Sequence, residues 1–520
     1  MYFVDMPGCF KRKKTVKNLI TNIIGHCATM ILLIAIAVPT MAAFDVDHLS
    51  EFTERGMELW HVPGMSVAVV TQDEVLMQKG FGKTAAKKGK AVDEHTLFSI
   101  ASTTKAMVVT GILMLVDEGK LSLDDPIIKY IPELHFNDPM LTQQLIVRDL
   151  LAHRTGLPST DYWSFFQDMP LDEQITRLQN VQPEALVRTR LIYQNTMFEL
   201  AGLLIERLSG QRWHHFLTER LWQPIGMLET YGSREEIGAE QAFVTPHLYI
   251  ENKLSVPAWD FPADYADAAG SVWSSIHDMS LWAQFLLRDG VTKSGRRLVS
   301  EESVIQMFEP HQLASASDFY PTTELTKPNW RSYGLAWFQQ DFQGRKIDFH
   351  TGSLSGLIAI IGLDRANDKA VIVLGNRDHA EMRHALLWEV MDNSDGDKRR
   401  DWNKDIFDLY AARADENEQR WEETQQKRLK HTKPSLKSAA YAGRYSSETM
   451  GDILVEKSGR KMTLKTTLVD FEMSHWHLDT YLVEYKSWQM HEFATFNIGP
   501  DGTTTSVTLF GDTFRRVDEK

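Results

Sequence analysis

Cysteine is nearly absent from this sequence: of 520 residues only Cys9 and Cys27 are cysteine, and both fall within the first 43 positions. From residue 44 onward the chain can build no thiol nucleophile, disulfide framework or thiolate metal site. A basic stripe interleaved with aromatics is missing too. The formal net charge is −14, and because Lys11, Arg12, Lys13, Lys14 and Lys17 face only Asp5 in the N-terminal segment, the remainder carries −18. Such a body repels phosphate backbones, which excludes nucleic acid as a partner. No Gly-x-Ser-x-Gly elbow occurs either: the nearest approach, Gly352-Ser-Leu-Ser-Gly356, has Leu354 at its centre. There is no His-Glu-x-x-His helix for zinc, and His214-His215 and the pair His379 and His384 read as surface residues. No metal or other cofactor is expected.

What is present is a globular composition, 43% hydrophobic and 24% charged, which fits a folded body rather than a disordered chain or a multi-span membrane protein. The N-terminus has the form of an export signal. A basic run at 11–17 precedes Met30-Ile-Leu-Leu-Ile-Ala-Ile-Ala-Val38, then Pro39 and the small-residue stretch Met41-Ala42-Ala43. Two readings stand: cleavage after Ala42 or Ala43, or an uncleaved anchor reaching back to Leu19 as the chain's one membrane link. Both place the body outside the cytoplasm, periplasmic or secreted.

The periodicity predicts strands at Gly64-Met-Ser-Val-Ala-Val-Val70 and Val75-Leu-Met77, and again at Tyr333–Phe338, Lys346–His350, Leu357–Ile361 and Ala370–Leu374, with a long helical region between. That layout predicts an α+β fold, an antiparallel sheet flanked by helices with an all-helical lobe. Residues 396–434 read as a charged helical linker closed by Pro434, and 435–520 as a small antiparallel β-barrel-like domain with short alternating strands. The larger part, 44–395, is expected to be separable from this last domain; if the charged helix packs on it, the boundary belongs nearer 433.

Ser102-Thr-Thr-Lys105 follows the apolar Leu97-Phe-Ser-Ile-Ala101 and opens an apolar run ending at Gly119, a helix C-terminal signal. A spacing of three places hydroxyl and ammonium one turn apart on one face. Serine is a weak nucleophile that needs an adjacent base, which a desolvated lysine can supply. The spacing alone is weak, since Ser458-Gly-Arg-Lys461 repeats it across a turn. Its company strengthens it: Tyr193-Gln-Asn195 directly precedes the amphipathic helix 198–206, and His350-Thr-Gly352 ends a late strand.

These three elements, in this order, resemble the Ser-x-x-Lys, Tyr-x-Asn and Lys/His-Thr-Gly motifs of the class C β-lactamases and penicillin-binding proteins, with their DD-peptidase, D-aminopeptidase and esterase relatives. Leu150-Leu-Ala-His-Arg-Thr-Gly-Leu157, Trp222-Gln-Pro-Ile-Gly-Met227, Ala269-Gly-Ser-Val-Trp-Ser-Ser275 and Leu374-Gly-Asn376 agree. The resemblance implies an exported serine hydrolase acting through an acyl-enzyme on peptide, amide or ester substrates, cell-wall peptides among them. The alternatives are a true class C β-lactamase and a non-catalytic penicillin-binding sensor. Carried over, Ser102 is the nucleophile and Lys105 its proton acceptor or the organiser of that acceptor. Tyr193 is the phenol or phenolate that relays protons, and a cationic Lys105 would favour the phenolate. Asn195, His350, Thr351 and Gly352 bind or orient substrate, and the backbone N–H groups of Ser102 and Ser353 form an oxyanion hole. His350 departs from the lysine of many β-lactamases, so β-lactam acylation is expected to be slow at neutral pH and to rise toward pH 6 as the imidazole gains charge. Residues 441–445, 474–480 and 493–496 resemble the lipocalin-like domain often appended to such hydrolases. His475 and His477 lie on one side of a strand there but lack an evident third ligand, so they read as structural polar residues.

Overall fold

A computed structural model describes residues 44–257, 267–394, 399–486 and 490–517; the expected export segment, with Cys9 and Cys27, lies outside them. Strand β1 (Gly64–Val70) is buried at every position and apolar but for Ser66, the mark of a strand inside a sheet covered on both faces. With β2 (Val75–Gly82), β3 (Gln312–Leu313), β4 (Arg331–Tyr333), β5 (Phe338–Phe342), β6 (Arg345–Leu354), β7 (Leu357–Asp364) and β8 (Lys369–Gly375) it forms one sheet. The order is β2-β1-β8-β7-β6-β5-β4-β3, every pairing antiparallel. Strands from the two ends of the hydrolase sequence therefore meet at β1 and β8, as the pattern predicts.

Helices cover the sheet and build a lobe beside it. Among them are α1 (Val46–Trp60), α2 (Thr104–Asp117), α3 (Val147–Leu151), α4 (Thr196–Ser209), α5 (Ile276–Leu287) and α6 (Met382–Met391). α5 packs on β1 and β8, α6 on β7 and β8, and α2 against α4 inside the lobe. α2 is buried at every residue from Thr104 to Leu115, which is why it carries no polar face. It ends before Gly119, whose φ of 70° takes the left-handed conformation a helix C-terminus calls for.

One expected strand is not a strand. Tyr333–Phe338 spans the end of β4, a turn and the start of β5. Its main chain is claimed elsewhere: Leu335 N donates to Met307 O, Ala336 N to Leu151 O and Gly334 N to Trp337 O. Ala336 has a φ of 63°, incompatible with a ladder. An unbroken apolar run cannot distinguish a buried turn from a buried strand.

The charged stretch contains α7 (Trp402–Gln426). Its first turns are not a free linker: Trp402 and Ile406 are buried, Asn403 Nδ2 donates to Phe52 O, and Phe407 meets the Trp60 ring edge-on at 5.1 Å. Beyond it, β9 (Gly443–Ser447), β10 (Gly451–Ser458), β11 (Lys461–Lys465), β12 (Asp470–His477), β13 (Thr480–Tyr485), β14 (Met490–Ile498), β15 (Thr504–Leu509) and β16 (Asp512–Arg516) close into an eight-stranded antiparallel barrel. The alternating burial along β10, inward at Gly451, Ile453 and Val455, is the period-2 signature of such a barrel. The chance Ser458-Gly-Arg-Lys461 pattern is the β10–β11 hairpin turn. His475 and His477 flank a register shift; His475 Nε2 meets Leu478 O, and His477 Nδ1 accepts from Leu429 N.

The barrel is seated on the helical lobe. Trp163 Nε1 donates to Thr449 O, Gln167 Nε2 to Asp452 O, Arg177 Nη1 to Ser447 O, and Leu468 N to Phe166 O. Phe166 stacks on Phe510 at 5.7 Å and meets Phe471 edge-on. The two parts thus share apolar contact, which the expectation of a separable domain did not include.

Candidate active site

The turn that presents Ser102 is a single 3-10 turn, Ala101–Thr103, running directly into α2. Ala101 has a φ of 43°, a strained value for a residue with a Cβ. Strand β6 passes so close that a Cβ at Gly352 would lie 2.3 Å from Ile100 O and 3.0 Å from Ala101 Cβ. Any larger residue would push β6, and with it the Ser353 backbone, away from Ser102. The glycine of His350-Thr-Gly352 therefore has a steric reason, and the other motif residues gather here. Ser102, Tyr193, Asn195, Thr351 and Ser353 line one cavity of about 350 Å³ with Asp318, Phe319, Tyr320 and Phe338.

Lys105 is 0% exposed. Its Nζ donates to Ser102 Oγ at 3.1 Å, Asn195 Oδ1 at 2.8 Å and Ala269 O at 2.7 Å. Burial lowers its pKa to about 7, partly opposed by Glu199 and Asp161. A substantial fraction is then neutral amine at physiological pH, able to accept the Ser102 proton. Glu199, also buried, is raised by its own burial and by Asp267, so both groups lean toward their neutral forms. Its carboxyl accepts from Ala268 N at 3.1 Å and Ala269 N at 3.4 Å, fixing the carbonyl that holds Lys105.

Tyr193 departs from the phenolate expectation. It is buried, and burial raises its pKa well above 10, with a hydrogen bond to Ser102 acting the other way. The Lys105 ammonium lies 5.0 Å from the centre of the Tyr193 ring, over its face, where it contributes a cation–π contact. Tyr193 therefore holds its proton as a phenol, while Lys105 is the group here whose neutral, proton-accepting form is favoured near neutral pH. His153 packs on Tyr193 with ring centroids 4.2 Å apart, and its Nδ1 accepts from Gln194 N. Burial lowers the His153 pKa well below its usual value, so it supports Tyr193 as a neutral ring.

His350 is a spacer, not a switch. It is 1% exposed. Its Nδ1 lies 2.7 Å from Thr351 O, an acceptor, so Nδ1 carries the hydrogen and Nε2 accepts from Tyr333 O–H at 3.1 Å. Burial and the charge of Lys105 lower its pKa to about 3. This runs against the expectation that His350 gains charge toward pH 6, because a buried imidazolium would form beside the Lys105 charge.

Several contributors escaped sequence reading. Asp161 accepts from Asn195 Nδ2 at 3.1 Å, which turns the Asn195 oxygen toward Lys105. Tyr320 O–H is paired with Thr351 Oγ1 at 2.5 Å. Behind the strand end, Arg383 Nη1 donates to Gly352 O and to Ser353 Oγ, while Glu381 holds the guanidinium at 3.0 Å and His384 Nδ1 at 2.8 Å. His384, read as a surface residue, is fully buried in this cluster. His214 and His215 join Glu236 in a group whose ligand atoms lie within 4.8 Å of one another.

The beta-lactamase family model matches residues 49–394, and a second model, a domain of unknown function (DUF3471), matches 427–519. A relative from Aspergillus campestris, unguisins hydrolase ungD', is 30% identical over 392 residues, 69% of this chain and 68% of that protein. Protein flp of Staphylococcus aureus is 26% identical over 342 residues, 62% of this chain and 61% of its own length. The octameric penicillin-binding protein homologue of Pyrococcus abyssi superposes with a TM-score of 0.59 at 21% identity, covering 91% of this chain and 99% of that one. SurE with D-Leu superposes at 0.52 and 17% identity, covering 91% and 99%; at these identities both share the fold. A model match across most of the chain, over a site that joins Ser102 to a buried lysine, places this protein in the beta-lactamase family of serine hydrolases.

Proposed function

We propose that the chain hydrolyses esters and amides, peptides among them, through an acyl-enzyme on Ser102. The observation that carries this reading is the buried Lys105 amine, 3.1 Å from Ser102 Oγ and with its pKa lowered to about 7. Ser102 Oγ attacks the substrate carbonyl as its proton passes to Lys105, and the oxyanion is met by the backbone N–H groups of Ser102 and Ser353. The Tyr193 hydroxyl protonates the leaving group and is reprotonated from Lys105. Water then attacks the acyl-enzyme by the same route in reverse. Similarity to a hydrolase of unguisins supports turnover over a purely sensing role. The basic and apolar N-terminal segments support an exported body, to be checked by cell fractionation.

Intact-mass analysis after incubation with a penicillin and with a small activated ester tests the proposal. One acyl adduct that turns over with the ester is expected; an unmodified protein with both would overturn it. Because His350 stays neutral, position 350 offers a β-lactam carboxylate no cation, and penicillin turnover should be slow.

The pH profile follows from Lys105. Acylation should be full above about pH 8 and fall about tenfold per unit below pH 6 as the amine protonates. No compensating rise from His350 should appear, because its pKa is lowered to about 3. Acylation rates measured from pH 5 to 9 decide this, and a maximum near pH 6 would contradict it.

A further inference from the structure

A larger cavity adjoins the catalytic one. It measures about 1020 Å³ and shares Ser353 with that site while excluding Tyr193, Asn195 and Tyr320. Its walls come from the end of β6 and the turn after it, the loop after β8, residues 248–252, Phe165 of the helical lobe, the α1 end with α7, and Met490 at the start of β14. We propose that this groove binds the acyl portion of the substrate, in the form of a long uncharged apolar chain. The inference rests on the acyl-enzyme reading of Ser102 and adds the substrate class to it.

Geometry selects the acyl side. The tetrahedral carbon bears Ser102 Oγ, an oxyanion facing the backbone N–H groups, a leaving group facing its proton source, and the acyl chain. The proton source is Tyr193, so a groove that meets the site at Ser353 and omits Tyr193 is left to the acyl chain. The lining selects its chemistry. Trp60, Phe407, Tyr410 and Leu354 stand in the wall, and His61, also in it, stacks on Tyr249 at 4.4 Å. Arg377 and Asp378 are adjacent and opposite in charge, and the Arg377 guanidinium lies over the Tyr249 ring at 5.2 Å. The groove therefore offers an anionic chain no net attraction, while apolar atoms gain from leaving water. The α7 side is kept open by two small exposed residues, Ala411 and Ala414.

The test uses the full chain and compares kcat/KM for p-nitrophenyl acetate and p-nitrophenyl octanoate in the wild type, Ala411→Trp and Ala414→Trp. Burial of a methylene is worth up to roughly fourfold, so the wild type should prefer octanoate by at least about tenfold. Each tryptophan, introduced at an exposed helical position, should cut octanoate turnover by about tenfold and leave acetate within about twofold. A flat chain-length profile with acetate turnover intact would overturn the groove assignment while sparing the acyl-enzyme reading. An equal loss on both esters in both variants would overturn the assignment as well. Absence of acetate turnover together with an unlabelled Ser102 would remove the reading beneath it.

Discussion

Lys105→Met should slow acylation of Ser102 by about a hundred- to ten-thousandfold, the usual contribution of a positioned general base. Methionine has similar length and belongs in an apolar interior, but it accepts no proton and donates none. The loss strikes three partners at once, because Lys105 Nζ serves Ser102 Oγ, Asn195 Oδ1 and Ala269 O. Each acceptor left without a donor costs about 1–3 kcal/mol, against a net stability of about 5–15 kcal/mol. Removing a buried amine offsets part of that cost, so the variant should fold with a modestly lower Tm. Time-resolved intact mass with an activated ester gives the rate, with Ser102→Ala as the zero. Lys105→Arg separates base from charge: arginine keeps the cation and cannot deprotonate. Recovery of the rate in Lys105→Arg, or a full rate in Lys105→Met, would show that Lys105 is not the base.

What the sequence revealed of this site was its local part. Ser102 and Lys105 are one helical turn apart, and Tyr193 and Asn195 directly precede a helix, so their order could be matched to the family motifs whose resemblance implied their roles. The barrel was legible for the same reason, since period-2 alternation is a local property. Contacts across long separations were not. Arg383 reaches Gly352 across 31 positions and Asp161 reaches Asn195 across 34, and neither leaves a periodicity. A faint signal existed for Glu199, an acid on the apolar face of a helix, and for His153 within the Leu150–Leu157 run. A mostly neutral His350 at pH 7 was legible, but its failure to gain charge toward pH 6 was not, because that follows from burial beside Tyr333 and Lys105. A histidine's charge is a property of its surroundings.

Cutting the chain after residue 394 should yield an aggregating fragment, contrary to what composition alone suggests for a charged linker. The cut strips Trp402 and Ile406 from the hydrolase, and both are buried in the intact chain. Deleting one large core side chain costs about 2–5 kcal/mol, so losing two consumes much of a net stability of about 5–15 kcal/mol. The Trp402 Nε1 bond to Asp392 Oδ2 and the Asn403 bond to Phe52 O are lost with them. A chain ending at residue 433 keeps these contacts and loses only the barrel. It should fold, but with Tyr162 and Phe166 uncovered where Phe510 now packs. That exposure sits beside Asp161, the carboxylate that orients Asn195 toward Lys105, so acylation should slow by about tenfold, the loss of one positioning hydrogen bond to a charged group. Solubility, thermal melting and ester acylation of the two fragments beside the full chain decide the matter. A soluble fragment ending at 394 with full acylation would mean that neither α7 nor the barrel supports the site.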